Sequence, residues 1–261
     1  MTGEPVRAET RDGVRTLTVD RPEKLNALNA AVLEALDARV REAESDGALR
    51  CLIVTGAGEK AFIAGADIGE LAKLTPLDGR EHARRGQALL ERLSSLPIPS
   101  IAAINGYAYG GGLELALACT LRVASENARM GLPETSLGIL PGYGGTQRLT
   151  RLLGKSRAAE LILTSEKGIT AADAGRLGLV NRVVPAGQAL AAAMDLALAI
   201  VKNGPIACRY ALEAIRRGSE MPLPEGLAYE ATLFGLCAAT EDMKEGMTAF
   251  LEKRPARFTG R

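Results

Sequence analysis

The fold of this chain is decided by Ile101-Ala102-Ala103-Ile104-Asn105-Gly106-Tyr107-Ala108-Tyr109-Gly110-Gly111-Gly112-Leu113-Glu114-Leu115-Ala116-Leu117-Ala118. Its first residues form an apolar run that predicts a buried strand, and its last residues favour a helix. The glycines between them would each destabilise regular structure by about 0.5–1 kcal/mol relative to alanine. Glycines at such a corner let a backbone approach a ligand, and the first helical N–H groups favour a negatively charged oxygen. The alternative is a tight capped turn with Glu114 as an ordinary first-turn acid.

The same order of strand, glycine loop and helix occurs earlier in the chain. The apolar run Cys51 to Gly56 predicts a buried strand, and it leads into the small residues Ala64-Gly65-Ala66. An alternating strand is expected before it at Val14 to Val19, followed by a helix with Asn29 as its N-cap. We therefore expect an α/β fold of repeated strand–strand–helix units, in which two glycine-lined loops face one cleft.

Helical patterns dominate the rest of the chain. We expect a loop punctuated by glycine and proline over residues 69–80, with room for one helical turn at its start. A helix is expected over about 81–96, and an extended glycine-rich segment over 130–145. A further helix is predicted to open at Thr146, and nearly all of the chain after about residue 186 favours helix.

This change in composition predicts two parts of the chain. Residues 1–190 are expected to form the catalytic core, and residues 191–261 a helical C-terminal region that holds subunits together.

Composition excludes several function classes. The chain has 261 residues, with 32 Lys and Arg against 31 Asp and Glu, so its formal net charge is +1. Balanced charge and only 3% aromatic residues give no reason to expect nucleic-acid or membrane binding. The apolar run 189–201 is too short to span a bilayer. The N-terminus lacks the apolar core of a signal peptide, and the four cysteines are widely separated, so we expect a cytoplasmic protein with reduced thiols.

Carboxylates and backbone N–H groups remain as the candidates for catalysis. His82 is the only histidine, which argues against a Ser-His triad or a histidine metal site, and its neighbours Arg80, Glu81 and Arg84 predict a solvated helix face. Glu134 lies in an apolar, glycine-rich segment where burial would raise its pKa and permit a proton-donating form. Alone it would be interpreted as a surface acid after a proline. Two carboxylates on one apolar cavity can divide acid and base roles.

Three blocks of this sequence resemble the signature blocks of the crotonase superfamily, and in particular its enoyl-CoA hydratases. The resemblance extends along essentially the whole chain. The blocks are Ala61-Phe62-Ile63-Ala64-Gly65-Ala66-Asp67-Ile68, the segment from Asn105 to Ala116, and the segment from Pro133 to Leu149.

The resemblance implies a spiral of ββα units with C-terminal helices that form homotrimers, often paired into hexamers. It implies an oxyanion hole made by the N–H groups of Ala66 and Gly111, and it gives Glu114 and Glu134 the catalytic roles. Glu114 would activate the water that adds at C3, and Glu134 would supply the proton at C2. It also assigns substrate and coenzyme A binding to a set of nearby positions: Lys24, Ala64, Gly65, Asp67 and Ile68.

The reaction implied is reversible hydration of a trans-2-enoyl-CoA to a 3-hydroxyacyl-CoA, as in fatty-acid β-oxidation, with no metal or separate cofactor. Coenzyme A would be part of the acyl-CoA substrate. Because relatives with this fold run other reactions, an enoyl-CoA isomerase is the nearest alternative. An RNA-binding protein on the same fold and a non-catalytic scaffold are alternatives from other classes. Sequence gives no acyl chain length, although residues 70–80 and the neighbourhood of Gly142 and Tyr143 are expected to shape the end of the pocket.

Overall fold

The chain folds as strands that alternate between two sheets, with helices closing each turn. A computed structural model describes residues 4–165 and 168–261. The predicted range 1–190 therefore includes residues 1–3 and 166–167, which lie outside the described residues. The strands are β1 (Val6–Arg11), β2 (Val14–Val19), β3 (Cys51–Gly56), β4 (Ala61–Ile63), β5 (Ser100–Ile104), β6 (Tyr107–Tyr109), β7 (Leu121–Ser125), β8 (Arg129–Gly131), β9 (Ile169–Thr170) and β10 (Arg182–Val184).

Helices occupy most of the connections and the C-terminal part of the chain. Short 3-10 turns also occur at Pro22–Lys24 and Glu134–Leu137. The α-helices are α1 (Ala30–Ser45), α2 (Ile68–Leu71), α3 (Pro76–Ser94), α4 (Gly111–Ala118), α5 (Gly145–Leu153), α6 (Lys155–Leu163), α7 (Ala171–Arg176), α8 (Ala189–Val201), α9 (Pro205–Gly218), α10 (Leu223–Ala238) and α11 (Glu241–Leu251).

Strand pairing shows the spiral directly. One sheet has the order β1-β2-β3-β5-β7-β10 and the other has the order β4-β6-β8-β9. From β3 to β8, each successive strand joins the opposite sheet, and the neighbours within each sheet are parallel. The predicted α/β spiral of strand–strand–helix units is thus confirmed. Its geometry brings the loops after β4 and β6 side by side, because these strands are neighbours.

The core lies on both sides of the larger sheet. One face packs against α1, whose buried side chains Val32, Leu36, Val40 and Ala43 recur at helical spacing. Asn29 is the predicted N-cap, and its side chain accepts the N–H of Val32 at 3.0 Å. The other face is covered by α8, which contacts β3, β5 and β7.

The predicted boundary at residue 190 falls inside α8. That helix buries Ala193 and Ala197 against the larger sheet, whereas α9 and α10 pack against each other. The division into two domains stays a prediction. Within the described ranges 4–165 and 168–261, no single helix is both long and apolar enough to cross a membrane. The bent pair α8–α9, at 109°, meets that test by combined length and composition alone.

One helix begins earlier than the sequence analysis predicted. The segment 69–80 was expected to be a loop, but α3 begins at Pro76. The cause is a capping box, in which the Thr75 side chain accepts the N–H of Asp78 and the Asp78 carboxylate accepts the N–H of Thr75. Gly79 follows inside the first turns, where it lowers helix propensity without ending the helix.

Candidate active site

A cavity of about 430 Å³ lies between the loops after β4 and β6 on one side and α3 on the other. Seven of the nine predicted site residues line it, which are Ala64, Gly65, Ala66, Ile68, Gly111, Glu114 and Glu134. Lys24 and Asp67 are not among the described residues of its lining. Lys24 ends an exposed 3-10 turn, and Asp67 caps α2 by accepting the N–H of Gly69 at 3.0 Å. Most of the remaining lining side chains are apolar.

The glycines at the junction of β6 and α4, Gly110 to Gly112, form one edge of this cavity, which we call the glycine corner. Gly110 joins β6 to α4 with φ +51°, a conformation that favours glycine, and its N–H donates to the carbonyl of Gly131 at 2.9 Å. Gly111 is the first residue of α4, so its N–H has no acceptor within the helix. A Cβ on Gly112 would lie 2.0 Å from the carbonyl oxygen of Ile63, so only glycine lets α4 start this close to β4. The corner therefore presents a helix N-terminus to the cavity.

The loop after β4 supplies a second backbone edge. Leu28 forms a parallel bridge with Ala66, in which its N–H donates to Gly65 and its carbonyl accepts from Asp67. In a parallel bridge these neighbours of Ala66 face Leu28, so the N–H of Ala66 itself points the other way. Gly65 has φ +100°, which turns the chain at this point. Ala66 and Gly111 both line the same cavity.

Glu114 is held rigidly by the backbone. Its side chain is on the first turn of α4 and is 2% exposed. Oε1 accepts the N–H of Tyr143 at 2.8 Å and the N–H of Gly145 at 2.7 Å. Burial raises the pKa of Glu114, while these backbone N–H groups lower it by stabilising the carboxylate. A Cβ on Gly145 would lie 2.9 Å from Leu132 Cδ1 and 3.0 Å from Oε1, so a side chain at this position would crowd the carboxylate.

Glu134 has the opposite surroundings. It opens the 3-10 turn Glu134–Leu137, and its Oε2 is buried with no hydrogen-bond partner among the described residues. Burial raises the pKa of Glu134 to about 7, with a further upward contribution from the charge of Glu114. Its Oε1 would lie 2.7 Å from a Cβ on Gly110, so this carboxyl group borders the glycine corner. The two glutamates can therefore differ in protonation near neutral pH.

A histidine–tyrosine pair forms part of the wall, and the expectation for His82 was wrong. His82 is half-buried on α3, lines the cavity, and its Nε2 lies 2.5 Å from the hydroxyl oxygen of Tyr143. The prediction considered only charged neighbours along the sequence. His82 precedes the buried residues Gly86, Leu89 and Leu93 at helical spacing, a signal that places it beside the buried face.

Comparison with known proteins gives matches along nearly the whole chain. Residues 9–261 match the family model described as Enoyl-CoA hydratase/isomerase. The chain is 46% identical to the short-chain-enoyl-CoA hydratase of Clostridium acetobutylicum over 94% of each protein. It is 42% identical to the crotonyl-CoA hydratase of Syntrophomonas wolfei over 99% of each. The crystal structure of an enoyl-CoA hydratase from Bacillus anthracis superposes with a TM-score of 0.95 at 41% identity, covering 98% of this chain and 100% of that one.

Proposed function

This chain belongs to the enoyl-CoA hydratase/isomerase family and is an enoyl-CoA hydratase, and we propose that Glu114 and Glu134 together carry out its reaction. The substrate is a trans-2-enoyl-CoA, and the product is the 3-hydroxyacyl-CoA. One observation carries the assignment. Two carboxyl groups border the same apolar cavity: Glu114 accepts two backbone N–H groups, and Glu134 has a buried oxygen with no hydrogen-bond partner among the described residues.

The proposed oxyanion hole consists of the N–H groups of Ala66 and Gly111. Both residues line the cavity. The N–H of Ala66 points away from Leu28, with which its loop pairs, and the N–H of Gly111 has no acceptor within α4. Addition at C3 moves electrons toward the thioester oxygen, so two aimed donors stabilise the enolate that forms. A preorganised donor of this kind contributes about 10²–10³ in rate.

The two glutamates transfer the protons of the reaction. The water oxygen forms a bond to C3 as its proton passes to Glu114, whose fixed Oε1 orients the carboxylate. Glu134, with its pKa raised to about 7, is substantially protonated at neutral pH and delivers its proton to C2 as the enolate collapses. Proton exchange between the two carboxyl groups then restores the starting state. Dehydration follows the same steps in reverse.

Coenzyme A enters this proposal as part of the substrate, bound along Lys24, Ala64, Gly65, Asp67 and Ile68. The substrates named for the Clostridium and Syntrophomonas relatives support a short acyl chain here.

A homotrimer or a pair of trimers is proposed for the assembly, supported by apolar side chains exposed on the C-terminal helices. The four free cysteines support a cytoplasmic location.

The test is a direct assay with separated reactions. Hydration of crotonyl-CoA is followed by loss of the conjugated thioester absorbance, and isomerisation of a 3-enoyl-CoA is followed in parallel. We expect wild type to hydrate far faster than it isomerises, and Glu114→Gln and Glu134→Gln each to lose about 10²–10⁴ in hydration. The double variant should lose little more than either single one, because the pair acts as a unit.

Glu160→Gln, an exposed glutamate on α6, is the control and should keep wild-type hydration. If Glu114→Gln hydrates normally while Glu134→Gln loses isomerisation, the enzyme is an isomerase instead.

A further inference from the structure

The His82–Tyr143 pair occupies a position in the cavity that the hydration mechanism does not use. Tyr143 is 4% exposed, and its ring lies against α3, where a Cβ on Gly86 would be 2.1 Å from it. The ring also passes Gly111, whose Cβ would lie 3.2 Å from it. Its hydroxyl ends at Nε2 of His82. The backbone N–H of the same tyrosine donates to Glu114 at 2.8 Å, so the pair and the proposed water-activating carboxylate belong to one stretch of the cavity wall.

Under the proposed function, we place the acyl chain beyond C3 along this stretch of the wall. The residues proposed to hold coenzyme A belong to the Pro22–Lys24 turn and to the loop after β4, whereas the pair belongs to α3 and to the loop before α5. A crotonyl chain has one carbon beyond C3 and a hexenoyl chain has three. We therefore expect the longer chain to reach the pair and the shorter chain to end before it.

The pair adds hydrogen-bonding groups to a cavity that is lined in large part by aliphatic side chains. These include Leu71, Leu74, Leu137, Ile139 and Leu140. Burial lowers the pKa of His82, opposed by the charge of Glu70 and assisted by that of Arg85, so the imidazole is neutral at neutral pH. A neutral imidazole donates at one nitrogen and accepts at the other, and a tyrosine hydroxyl has one donor and two acceptor positions. The pair therefore retains hydrogen-bonding capacity for a third group.

We propose that His82 and Tyr143 determine substrate specificity by hydrogen bonding an oxygen at the distal end of the acyl chain. The inference rests on the proposed function and names a substrate class for the same site. When Nε2–H of His82 donates to the Tyr143 oxygen, the tyrosine hydroxyl proton is directed to the substrate oxygen. A methyl-terminated chain offers no acceptor and removes water from both polar groups, which is unfavourable.

The experiment compares matched six-carbon substrates. These are 2-hexenoyl-CoA, 6-hydroxy-2-hexenoyl-CoA and the monothioester of 2-hexenedioic acid with coenzyme A. For wild type we expect kcat/KM to favour at least one oxygenated substrate over 2-hexenoyl-CoA by about tenfold, the value of one hydrogen bond. Comparing the hydroxyl substrate with the carboxylate substrate identifies which kind of oxygen the pair binds.

Two variants and a control separate specificity from a structural role. His82→Phe and Tyr143→Phe should each reduce the preference for the oxygenated substrate to near one, and each rate is referred to the same variant's rate on crotonyl-CoA. Arg84→Gln lies on the exposed side of α3 and should keep the wild-type preference. If the pair only braces α3 against the loop before α5, all substrates decline together and the preference survives, which overturns the inference.

Two further outcomes distinguish the inference from the function on which it rests. Hydration of crotonyl-CoA with no preference among the six-carbon substrates, or with a preference for 2-hexenoyl-CoA, overturns the inference alone. Failure of wild type to hydrate crotonyl-CoA overturns the proposed function and this inference with it.

Discussion

Glu114 and Glu134 carry the same functional group, and their surroundings make them chemically different. Both are removed from water, which raises both pKa values. Glu114 receives compensating hydrogen bonds from the N–H groups of Tyr143 and Gly145. Glu134 is compensated by its own backbone N–H alone, and its Oε2 is buried with no hydrogen-bond partner in the part of the chain that the structure describes. Burial therefore outweighs compensation at Glu134, and ionising it is unfavourable in the folded state. A group that favours its neutral form is suited to donate a proton.

This environment makes the stability of the protein depend on pH. The folded-state pKa of Glu134, about 7, lies above the ordinary value of 4.5, so the folded protein binds more protons than the unfolded chain between these values. Stability from this group is therefore present at low pH and lost as pH rises through about 7. Relative to wild type, Glu134→Gln should gain about 1–3 kcal/mol in free energy of unfolding between pH 5 and pH 8. Urea unfolding at both pH values, at one protomer concentration, measures this, and a difference that does not change with pH would contradict it.

The proposed oxyanion donor at Gly111 can be removed without removing a side chain. Gly111→Pro eliminates the N–H at the first position of α4, where proline is compatible with a helix. We expect hydration to fall by about 10²–10³. The matched control is Gly111→Ala, which keeps the N–H but places a Cβ 3.2 Å from Leu28 and Tyr143, a contact that the Cβ of proline also makes. Equal losses in the two variants would show that crowding causes the loss and that the Gly111 N–H is not part of the oxyanion hole.

At the scale of elements, the site depends on how α4 is fixed at both ends. Its start is set by the Gly110–Gly131 hydrogen bond and by the close approach of Gly112 to Ile63. Its end is held by Arg122, a buried guanidinium that lies at the start of β7. Arg122 donates to the carbonyls of Cys119 at 2.9 Å, Ala116 at 3.3 Å and Leu179 at 2.7 Å. Carbonyls at a helix C-terminus lack intrahelical partners, so a buried donor there is favourable.

Removing that donor should destabilise the fold. Arg122→Met keeps much of the apolar stem but leaves buried carbonyl oxygens without a partner. We expect the free energy of unfolding to fall by about 2–4 kcal/mol. Urea unfolding at fixed protomer concentration measures the loss, with Arg11→Met on the exposed strand β1 as a control that should change it little. An Arg122→Met protein as stable as wild type would show that other groups satisfy these carbonyls.

Elements with strong periodicity or clear end signals were predictable from sequence, and those fixed by distant contacts were not. The strand Cys51–Gly56 and the N-cap Asn29 were predicted correctly because their signals are local. The start of α3 at Pro76 was missed because the glycine and proline residues of the segment 69–80 were interpreted as a loop, whereas a capping box starts the helix there.

Within the candidate site, the sequence indicated both glutamates but not how they are held. The donors to Glu114 come from positions 29 and 31 residues away, and the partner of His82 lies 61 residues away. Such contacts exist only once the spiral has closed, so a reading of local pattern cannot show them.

At the scale of the whole molecule, the C-terminal helices carry a large share of the exposed apolar side chains. The helices α9 to α11 leave large side chains exposed in the protomer, including Ile215, Leu223, Leu227, Phe234, Leu236, Met247, Phe250 and Leu251. Leu233, in the middle of α10, is instead buried within the protomer. Large exposed apolar patches on a folded protein mark interaction surfaces. This surface supports the proposed homotrimer.

The assembly can be tested by placing charge on that surface. Phe234 and Phe250 are 77% and 82% exposed in the protomer, so replacing either with aspartate should disturb the isolated fold little. If subunits bury them, each substitution removes about 1.5–3 kcal/mol of apolar burial and adds a charge that must be desolvated. In sedimentation velocity at micromolar protomer, we expect wild type to be a trimer or a multiple of it, and both variants to shift to smaller species. Leu77→Asp, on α3 and 79% exposed, is the control and should leave the assembly intact. A stable wild-type monomer under these conditions would refute the proposed trimer and leave the apolar face of α9 to α11 without an occupant.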